Sequence, residues 1–145
     1  MSVYFKTLDQ ISSVDIVQIL KLRQDIFCIE QNCLYPDIDE IDSCAIHSYL
    51  KHNGEIVAYN RIYRDEALQA HIGRICVKID QRKNGLAGLI IRESLVLCRK
   101  EFPNSRIFIS AQLHLESYYQ KLGFVSIGKS YFEDAIPHIK MEHIA

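Results

Sequence analysis

The amino-acid sequence predicts an α/β fold in which helices flank a mixed, mostly antiparallel β-sheet. Residues 72–79 are apolar with alternating β-branched side chains, and a glycine-containing loop connects them to a helical apolar pattern at 86–100. Asn53-Gly54 lies between two strand-like runs and is typical of a tight β-hairpin. Strand-like and helical segments follow one another as β-α-irregular-β-β-β-α-β-α-β-β, which indicates one sheet covered by helices.

The first third of the chain contains a strand, a helix and an acidic segment. The strand spans residues 3–8, and Ser12 or Ser13 is a candidate N-cap for the helix that follows. One face of this helix carries Ile16, Ile19, Leu20, Arg23, Ile26 and Phe27. Residues 30–43 are acidic and irregular, which indicates a functional or a disordered loop. We expect its carboxylates Asp37, Asp39 and Asp42 to be solvated.

The rest of the chain alternates between strands and helices, with glycine and proline at the boundaries. Pro103 ends the long helix and Gly123 is the C-cap of the next one. The predicted elements are strands at 45–51, 56–64 and 73–79, a helix at 86–100, a strand at 106–111, a helix at 115–122, and strands at 124–127 and 139–143 that flank an irregular polar segment.

Composition favours one ordinary globular domain of residues 1–145, with 48% hydrophobic and 24% charged residues. A net charge of −1 provides no basic field for nucleic acid. No apolar stretch reaches the ~18 residues of a membrane span, and residues 1–6 lack an apolar signal core. We therefore expect a cytoplasmic monomer or homodimer with no nucleic-acid or membrane partner. The five cysteines are scattered without a CxxC pair, which favours reduced thiols over disulfides or a metal site.

The loop at residues 81–88 is the strongest candidate for binding chemistry. A helix that begins after a glycine-containing loop presents unpaired backbone N–H groups and the positive end of its dipole, which suits a diphosphate. Arg82 and Lys83 add full positive charges close by. An ordinary connection with solvated basic residues would give the same pattern, so this loop alone does not decide between the two.

Two motifs together resemble a known family. Arg82-x-x-Gly85-x-Ala87 is similar to the Arg/Gln-x-x-Gly-x-Gly/Ala signature of GNAT N-acetyltransferases, and Tyr118-Tyr119-Gln120-Lys121-Leu122-Gly123-Phe124 is similar to their "FYxKxGF" helix ending. The order and spacing also match. Four further stretches look like the ElaA-type branch: Phe27-x-x-Glu30-Gln31-Asn32-Cys33, Asp37-x-Asp39, Ala111-Gln112-x-His114-Leu115 and Ile136-Pro137-His138-Ile139.

The resemblance implies a GNAT fold with a β-bulge and splay at the fourth strand, and acetyl-CoA as co-substrate without a metal. The pantetheine arm would pair with backbone at residues 75–77, and the Val77 N–H would face the thioester carbonyl, where a fixed donor stabilises the oxyanion. The implied cofactor-binding residues are Ile75, Cys76, Val77, Arg82, Lys83, Asn84, Gly85, Leu86, Ala87, Gly88, Gln112, His114 and Tyr119.

Tyr119 is the candidate general acid, because a phenol stays protonated at neutral pH and can donate to a departing thiolate. Its neighbour Tyr118 is expected to be a packing residue. The incoming amine must lose a proton, and Glu30 and Asp134 are the carboxylates we select for the acceptor side. Glu133, His114 and His138 are further candidates.

The predicted function is transfer of an acetyl group from acetyl-CoA to a primary amine by direct attack in a ternary complex. The acceptor would be a small-molecule or peptide amine, and the acidic loops favour a cationic one. Two alternatives stay open at this point: an acyl-CoA-binding module without turnover, and an enzyme resembling acyl-homoserine-lactone synthases.

Overall fold

A computed structural model describes residues 2–144 as a seven-stranded sheet in the order β1-β2-β3-β4-β5-β7-β6. Neighbouring strands are antiparallel except β4 and β5, which are parallel. The predicted fold class is confirmed; the predicted domain also includes Met1 and Ala145, which lie outside the described residues. The strands are β1 Val3–Thr7, β2 Ile46–His52, β3 Glu55–Arg64, β4 Ala70–Val77, β5 Ile107–Gln112, β6 Phe124–Glu133 and β7 Ile136–His143, and the α-helices are α1 Ser13–Arg23, α2 Leu86–Glu101 and α3 Glu116–Gln120.

Helices cover both faces of the sheet. The alternation of side chains along β3 sends Ala58 and Ile62 to the core beneath α2, whereas Tyr59 packs in a second core with α1. Ser12 caps α1 by accepting a hydrogen bond from the Asp15 N–H at 3.2 Å, as its position in the sequence predicts. The helix continues as a π-helical segment, Gln24–Glu30, so it reaches the edge of the acidic loop.

The sheet opens between β4 and β5. These two strands pair only at Ala70–Ile107 and His71–Phe108, and they separate beyond that point. On its other side β4 carries a bulge, where the register with β3 shifts between Tyr59 and Arg61. Arg74 in this bulge has a left-handed backbone with φ of 52°, which increases the local bend of the strand. The bulge and splay together create a cleft that runs through the sheet.

The end of the chain differs from the prediction. Residues 128–138, predicted to be irregular, form the outer halves of β6 and β7, joined by a turn at Asp134 and Ala135 with positive φ. β6 is the edge strand of the sheet and its outer half is exposed, so burial imposes no alternation of apolar and polar residues there. The predicted helix at 115–122 is shorter than expected, with a 3₁₀ turn at Leu113–Leu115 before α3.

The expectation that the carboxylates of residues 30–43 are solvated is wrong. Arg23, fully buried in α1, donates to the Asp37 carboxylate at 3.0 Å and to that of Asp42 at 2.7 Å. Arg61 of β3 donates to Asp39 at 2.6 Å and to Asp42 at 3.0 Å. Each buried charge is therefore paired. The guanidinium groups on α1 and β3 fix the acidic segment against the sheet.

Asp42 gives this ion-pair network a measurable pH dependence. Burial opposes its ionisation, but the hydrogen bonds from Arg23 and Arg61 lower the pKa of Asp42 from 3.8 to about 2. Because the folded-state pKa lies below the ordinary value, ionised Asp42 stabilises the fold above a pH of about 4. This stabilisation is lost as the pH falls from there towards 2.

We expect Asp42→Asn to lower the free energy of unfolding at pH 7 by about 3–5 kcal/mol, because it leaves buried arginine charges incompletely paired. Urea unfolding at pH 7 and pH 3 measures this loss, and the difference between variant and wild type should be smaller at pH 3. Asp25→Asn, which removes an exposed pair with Lys21, is the matched control and should change stability by less than about 0.5 kcal/mol. An equally small loss for Asp42→Asn would contradict the stabilising role of the network.

Candidate active site

The splay between β4 and β5 opens into a cleft of about 650 Å³. Most of the predicted site residues line it, although they come from five separate parts of the chain. Asn84 and Gly88 do not line it; the Asn84 side chain instead donates to the Gln81 carbonyl at 3.3 Å. The predicted residues in the cleft wall are Glu30, Ile75, Cys76, Val77, Arg82, Lys83, Gly85, Leu86, Ala87, Gln112, His114, Tyr119 and Asp134.

The loop before α2 has a backbone conformation that would suit an anion. Gly85 is the N-cap of α2 with φ of 73°, a left-handed conformation that favours glycine. The N–H groups in the first turn of α2 have no intrahelical acceptor. Leu86 and Ala87 belong to this turn and line the cleft. A Cβ at Gly85 would meet no atom within 4 Å, so the space beside this backbone is open to a ligand.

Arg82 connects the loop to the end of the π-helical segment. Its guanidinium makes two hydrogen bonds to the Glu30 carboxylate, at 2.6 and 2.7 Å, and its Nε donates to the Val77 carbonyl at 3.1 Å. The hydrogen bond from Arg82 lowers the pKa of Glu30, and the same bond raises the pKa of Arg82. A carboxylate that is paired and more acidic than usual is a weak proton acceptor. The geometry therefore favours an electrostatic role for Glu30 over that of general base.

The backbone of Val77 faces the cleft. The Lys78 N–H donates to the Val57 carbonyl at 2.8 Å, and hydrogen-bonded and non-hydrogen-bonded pairs alternate along an antiparallel ladder. Val77 and its partner Ala58 are therefore a non-hydrogen-bonded pair. The N–H and C=O of Val77 point away from β3 and into the splay, where the carbonyl accepts from Arg82.

Cys76 lies beside this backbone but has no reactive character. Its side chain is only 5% exposed, and burial raises the pKa of its thiol far above the ordinary value. A thiol that stays protonated at neutral pH is not a nucleophile. Cys76 therefore contributes packing and backbone to the cleft wall.

Tyr119 approaches the cleft from α3 on the side of the α2 core. It is 6% exposed, and its ring packs edge-on against Tyr118 and Phe124 at centroid distances of 5.4 and 5.9 Å. Burial raises the pKa of the Tyr119 hydroxyl well above its usual range, so this phenol carries its proton at neutral pH. Tyr118, expected to be a packing residue, is partly exposed and lines the cleft as well.

The far end of the cleft contains a polar cluster on β5, β6 and β7. The Ser110 hydroxyl is hydrogen-bonded to the Tyr131 hydroxyl and donates to the Glu133 carboxylate at 3.2 Å. His138 Nδ1 is bonded to the Ile136 carbonyl at 2.7 Å, and its Nε2 lies 3.4 Å from Glu133. Sequence reasoning missed Ser110 and Tyr131. For Ser110 a signal was present, because it is the polar position between the apolar Ile109 and Ala111 of a buried strand.

Residues after α1 cover this end of the cleft. The Cys33 thiol donates to the Asp134 carbonyl at 3.2 Å, and the Gln112 amide donates to Gln31 at 3.3 Å. Arg74 of the β4 bulge donates to Asp37 at 2.8 Å, which connects this cover to the ion-pair network. Arg74 was missed as a cleft residue because its contacts come from the bulge.

Within residues 2–144, no three His, Cys, Asp or Glu side chains lie close enough together to hold a metal ion. Over the same residues, no helix is both long enough and apolar enough to cross a bilayer. All five cysteines carry free thiols.

Comparison with known proteins defines the class. The sequence matches the acetyltransferase (GNAT) domain family over residues 27–145, and the fold matches an acyl-CoA N-acyltransferase from Pseudomonas aeruginosa with a TM-score of 0.92, 28% identity, and coverage of 99% of this chain and 100% of that one. The chain belongs to the GNAT acetyltransferase family and is an acyl-CoA-dependent N-acyltransferase.

Within that family the chain is of the ElaA type. It is 34% identical to ElaA of Escherichia coli over 91% of this chain and 89% of that protein. The crystal structure of E. coli ElaA matches with a TM-score of 0.91 and covers 99% of both chains. A Schizosaccharomyces pombe protein of the UPF0039 group is 36% identical over 95% of this chain and 91% of its own length. The predicted family and branch are thus confirmed.

Proposed function

We propose that this protein transfers an acetyl group from acetyl-CoA to a primary amine, by direct attack in a ternary complex. The main support for the proposal is the content of one cleft. Val77, with its backbone N–H donor, and Tyr119, with its buried phenol, line the same cleft as the Gly85 loop. The first is suited to an oxyanion and the second to a thiolate leaving group. A module that only binds acyl-CoA would need neither.

The chemistry of the cleft matches each part of acetyl-CoA. The diphosphate would lie on the N–H groups at the start of α2, beside the positive charge of Lys83. The pantetheine arm would continue into the splay and pair with the backbone of residues 75–77, which β5 leaves unpaired on that side. The thioester carbonyl would then meet the Val77 N–H. Donors that are fixed before the reaction stabilise the developing oxyanion without reorganisation.

The reaction consists of proton loss from the amine, attack on the thioester and departure of the thiolate. The substrate ammonium loses one proton, and its nitrogen forms a bond to the thioester carbon while the carbonyl π electrons move to the oxygen that Val77 N–H holds. The C–S bond then breaks with its electron pair left on sulfur, and Tyr119 donates its phenolic proton to that sulfur. The surplus proton on nitrogen leaves to solvent in the cleft, and solvent restores the proton of Tyr119. One proton is released for each amide formed.

The acceptor is a small-molecule or peptide amine that enters on the side of the polar cluster. Glu30, Glu133 and Asp134 line this region, and their carboxylates would raise the local concentration of a cationic amine. Glu30 is neutralised in part by Arg82, so Glu133 and Asp134 supply most of the free negative charge.

A panel of amines tests the proposal directly. Purified protein is incubated with acetyl-CoA and, separately, with polyamines, aminosugars and peptides that carry free N-termini, and the released CoA thiol is measured. The expected result is thiol release with at least one class of amine, above the rate without amine. Tight CoA binding without amine-dependent release from any member would overturn the proposal and support a binding module.

Neutralising Asp134 is expected to weaken acceptor binding. Asp134 has φ of 50° in the β6–β7 turn, and asparagine adopts this conformation as readily, so Asp134→Asn removes the charge without straining the turn. We expect the acceptor KM to rise about 3–10-fold, with kcat and CoA affinity nearly unchanged. Asp25→Asn is the control, because Asp25 is not part of the cleft wall and pairs with Lys21. An unchanged KM for a cationic amine would show that Asp134 is only a solvated turn residue.

A further inference from the structure

A hydrogen bond from Nδ1 fixes the tautomer of the neutral His138 imidazole. Its Nδ1 lies 2.7 Å from the Ile136 carbonyl oxygen, and because a carbonyl only accepts, Nδ1 carries the hydrogen. In the neutral ring Nε2 is then left with a lone pair and is an acceptor. The side chain is only 8% exposed, so the ring is held in place by its surroundings.

In the neutral ring, the lone pair of Nε2 faces another acceptor. The nearest carboxylate oxygen of Glu133 is 3.4 Å from Nε2. Two acceptors at this separation repel each other unless a proton or a cation lies between them. Both side chains line the cleft. A primary ammonium group, with three N–H donors, fits this arrangement because it can donate to Nε2 and to the carboxylate together.

The cluster around His138 restricts how these groups can move. Within the sheet His138 pairs with Gln112 of β5 and Tyr131 of β6, and the Tyr131 ring stacks on the imidazole with a centroid distance of 6.3 Å. Ser110 donates to the other oxygen of Glu133 at 3.2 Å. Strand backbones therefore position every member of the cluster, as an acid–base site requires.

His138 and Tyr119 lie on opposite faces of the sheet. Ile139 and Met141 of β7 belong to the same core as Tyr119, so the alternation of side chains sends His138 to the other face. The splay between β4 and β5 lies between them. An amine that approaches from the His138 face would attack the thioester while the thiolate leaves towards Tyr119.

We infer that His138 is the general base of the acetyltransfer, and that Glu133 holds the substrate ammonium and then the imidazolium. The inference rests on the proposed function and names the base and the ammonium subsite within it. The ammonium donates one proton to His138 Nε2, which becomes imidazolium beside the Glu133 carboxylate, and the nitrogen lone pair so released forms the C–N bond. His138 then gives the proton to solvent, which accounts for the proton released in each turnover.

The test compares two acceptors that differ in basicity. One is an alkylamine that the wild type accepts, and the other is its fluorinated analogue with a trifluoromethyl group on the carbon that bears the amine. This group makes the amine largely neutral at neutral pH, so the analogue binds as a nucleophile without prior loss of a proton. We expect His138→Gln to lower kcat/KM for the alkylamine by roughly 10²–10⁴-fold. The fold-decrease in kcat/KM for the fluorinated amine should be at least ten times smaller. A merely structural defect would lower both rates equally.

Controls separate the possible outcomes. His71→Gln removes a histidine that pairs with Asp65 at 2.7 Å outside the cleft and should leave both rates unchanged. If His138→Gln does not fold, Glu133→Gln, at a partly exposed side chain, should raise the KM of the alkylamine more than that of the neutral analogue. If the variants acetylate each amine as fast as the wild type does, the inference is overturned and the proposed function stays intact. A wild type that acetylates no amine would overturn both.

Discussion

Tyr119→Phe is expected to lower kcat by roughly 10²–10⁴-fold, the usual range for loss of a positioned acid, while acetyl-CoA affinity stays close to that of the wild type. The substitution removes one hydroxyl and keeps the ring, so its edge-on contacts with Tyr118 and Phe124 persist. Stopped-flow or steady-state thiol release measures kcat, and calorimetry measures cofactor affinity.

The pH profile gives this prediction a second readout. The acid works only in its protonated form, and burial raises the pKa of Tyr119 above the ordinary value of about 10. The wild-type rate should therefore fall only at a pH above that value, and this decline should change in the phenylalanine variant. Tyr118→Phe is the matched control and should retain wild-type kcat. Wild-type turnover with an unaltered profile in Tyr119→Phe would mean that another group, or solvent, protonates the thiolate.

Gly85→Val is expected to reduce CoA affinity by roughly 10²-fold or more, about 2.7 kcal/mol. A side chain at this N-cap would occupy the open space beside the backbone and keep the diphosphate away from the N–H groups of the first turn. Each charge-assisted hydrogen bond lost in this way is worth about 1.5–3 kcal/mol. Calorimetric titration with CoA measures the change.

Gly54→Val is the matched control for this substitution. Gly54 has φ of 77°, close to the 73° of Gly85, and a Cβ there also meets nothing within 4 Å. Both variants should therefore lose a similar free energy of unfolding, about 1–2 kcal/mol, from left-handed backbone strain. Gly54 lies in the β2–β3 turn outside the cleft, so only Gly85→Val should weaken CoA binding. Equal CoA affinity in the two variants would contradict the assignment of the loop.

Local patterns predicted most of the fold. Apolar alternation, the Asn53-Gly54 turn and the Ser12 cap each depend on interactions within a few residues, so a single sequence reveals them. The proposed diphosphate loop and Tyr119 could be selected from the sequence for a related reason, since each is part of a short contiguous motif. The edge of the β6–β7 hairpin was not, because an exposed strand has no buried face to impose a pattern on its residues.

The sequence by itself therefore determined the order of the elements, the class of fold, the family and the residues of its two contiguous motifs. The tertiary structure alone decided which charges meet. Arg23 and Asp42 are 19 residues apart in the chain, and 52 residues separate Glu30 from Arg82. The Ser110, Glu133 and His138 cluster likewise forms only when β5, β6 and β7 pair. The physical reason is that burial and ion pairing depend on distances in space. An aspartate or glutamate is written with the same letter in the sequence whether its carboxylate lies in a solvated loop or in a buried network.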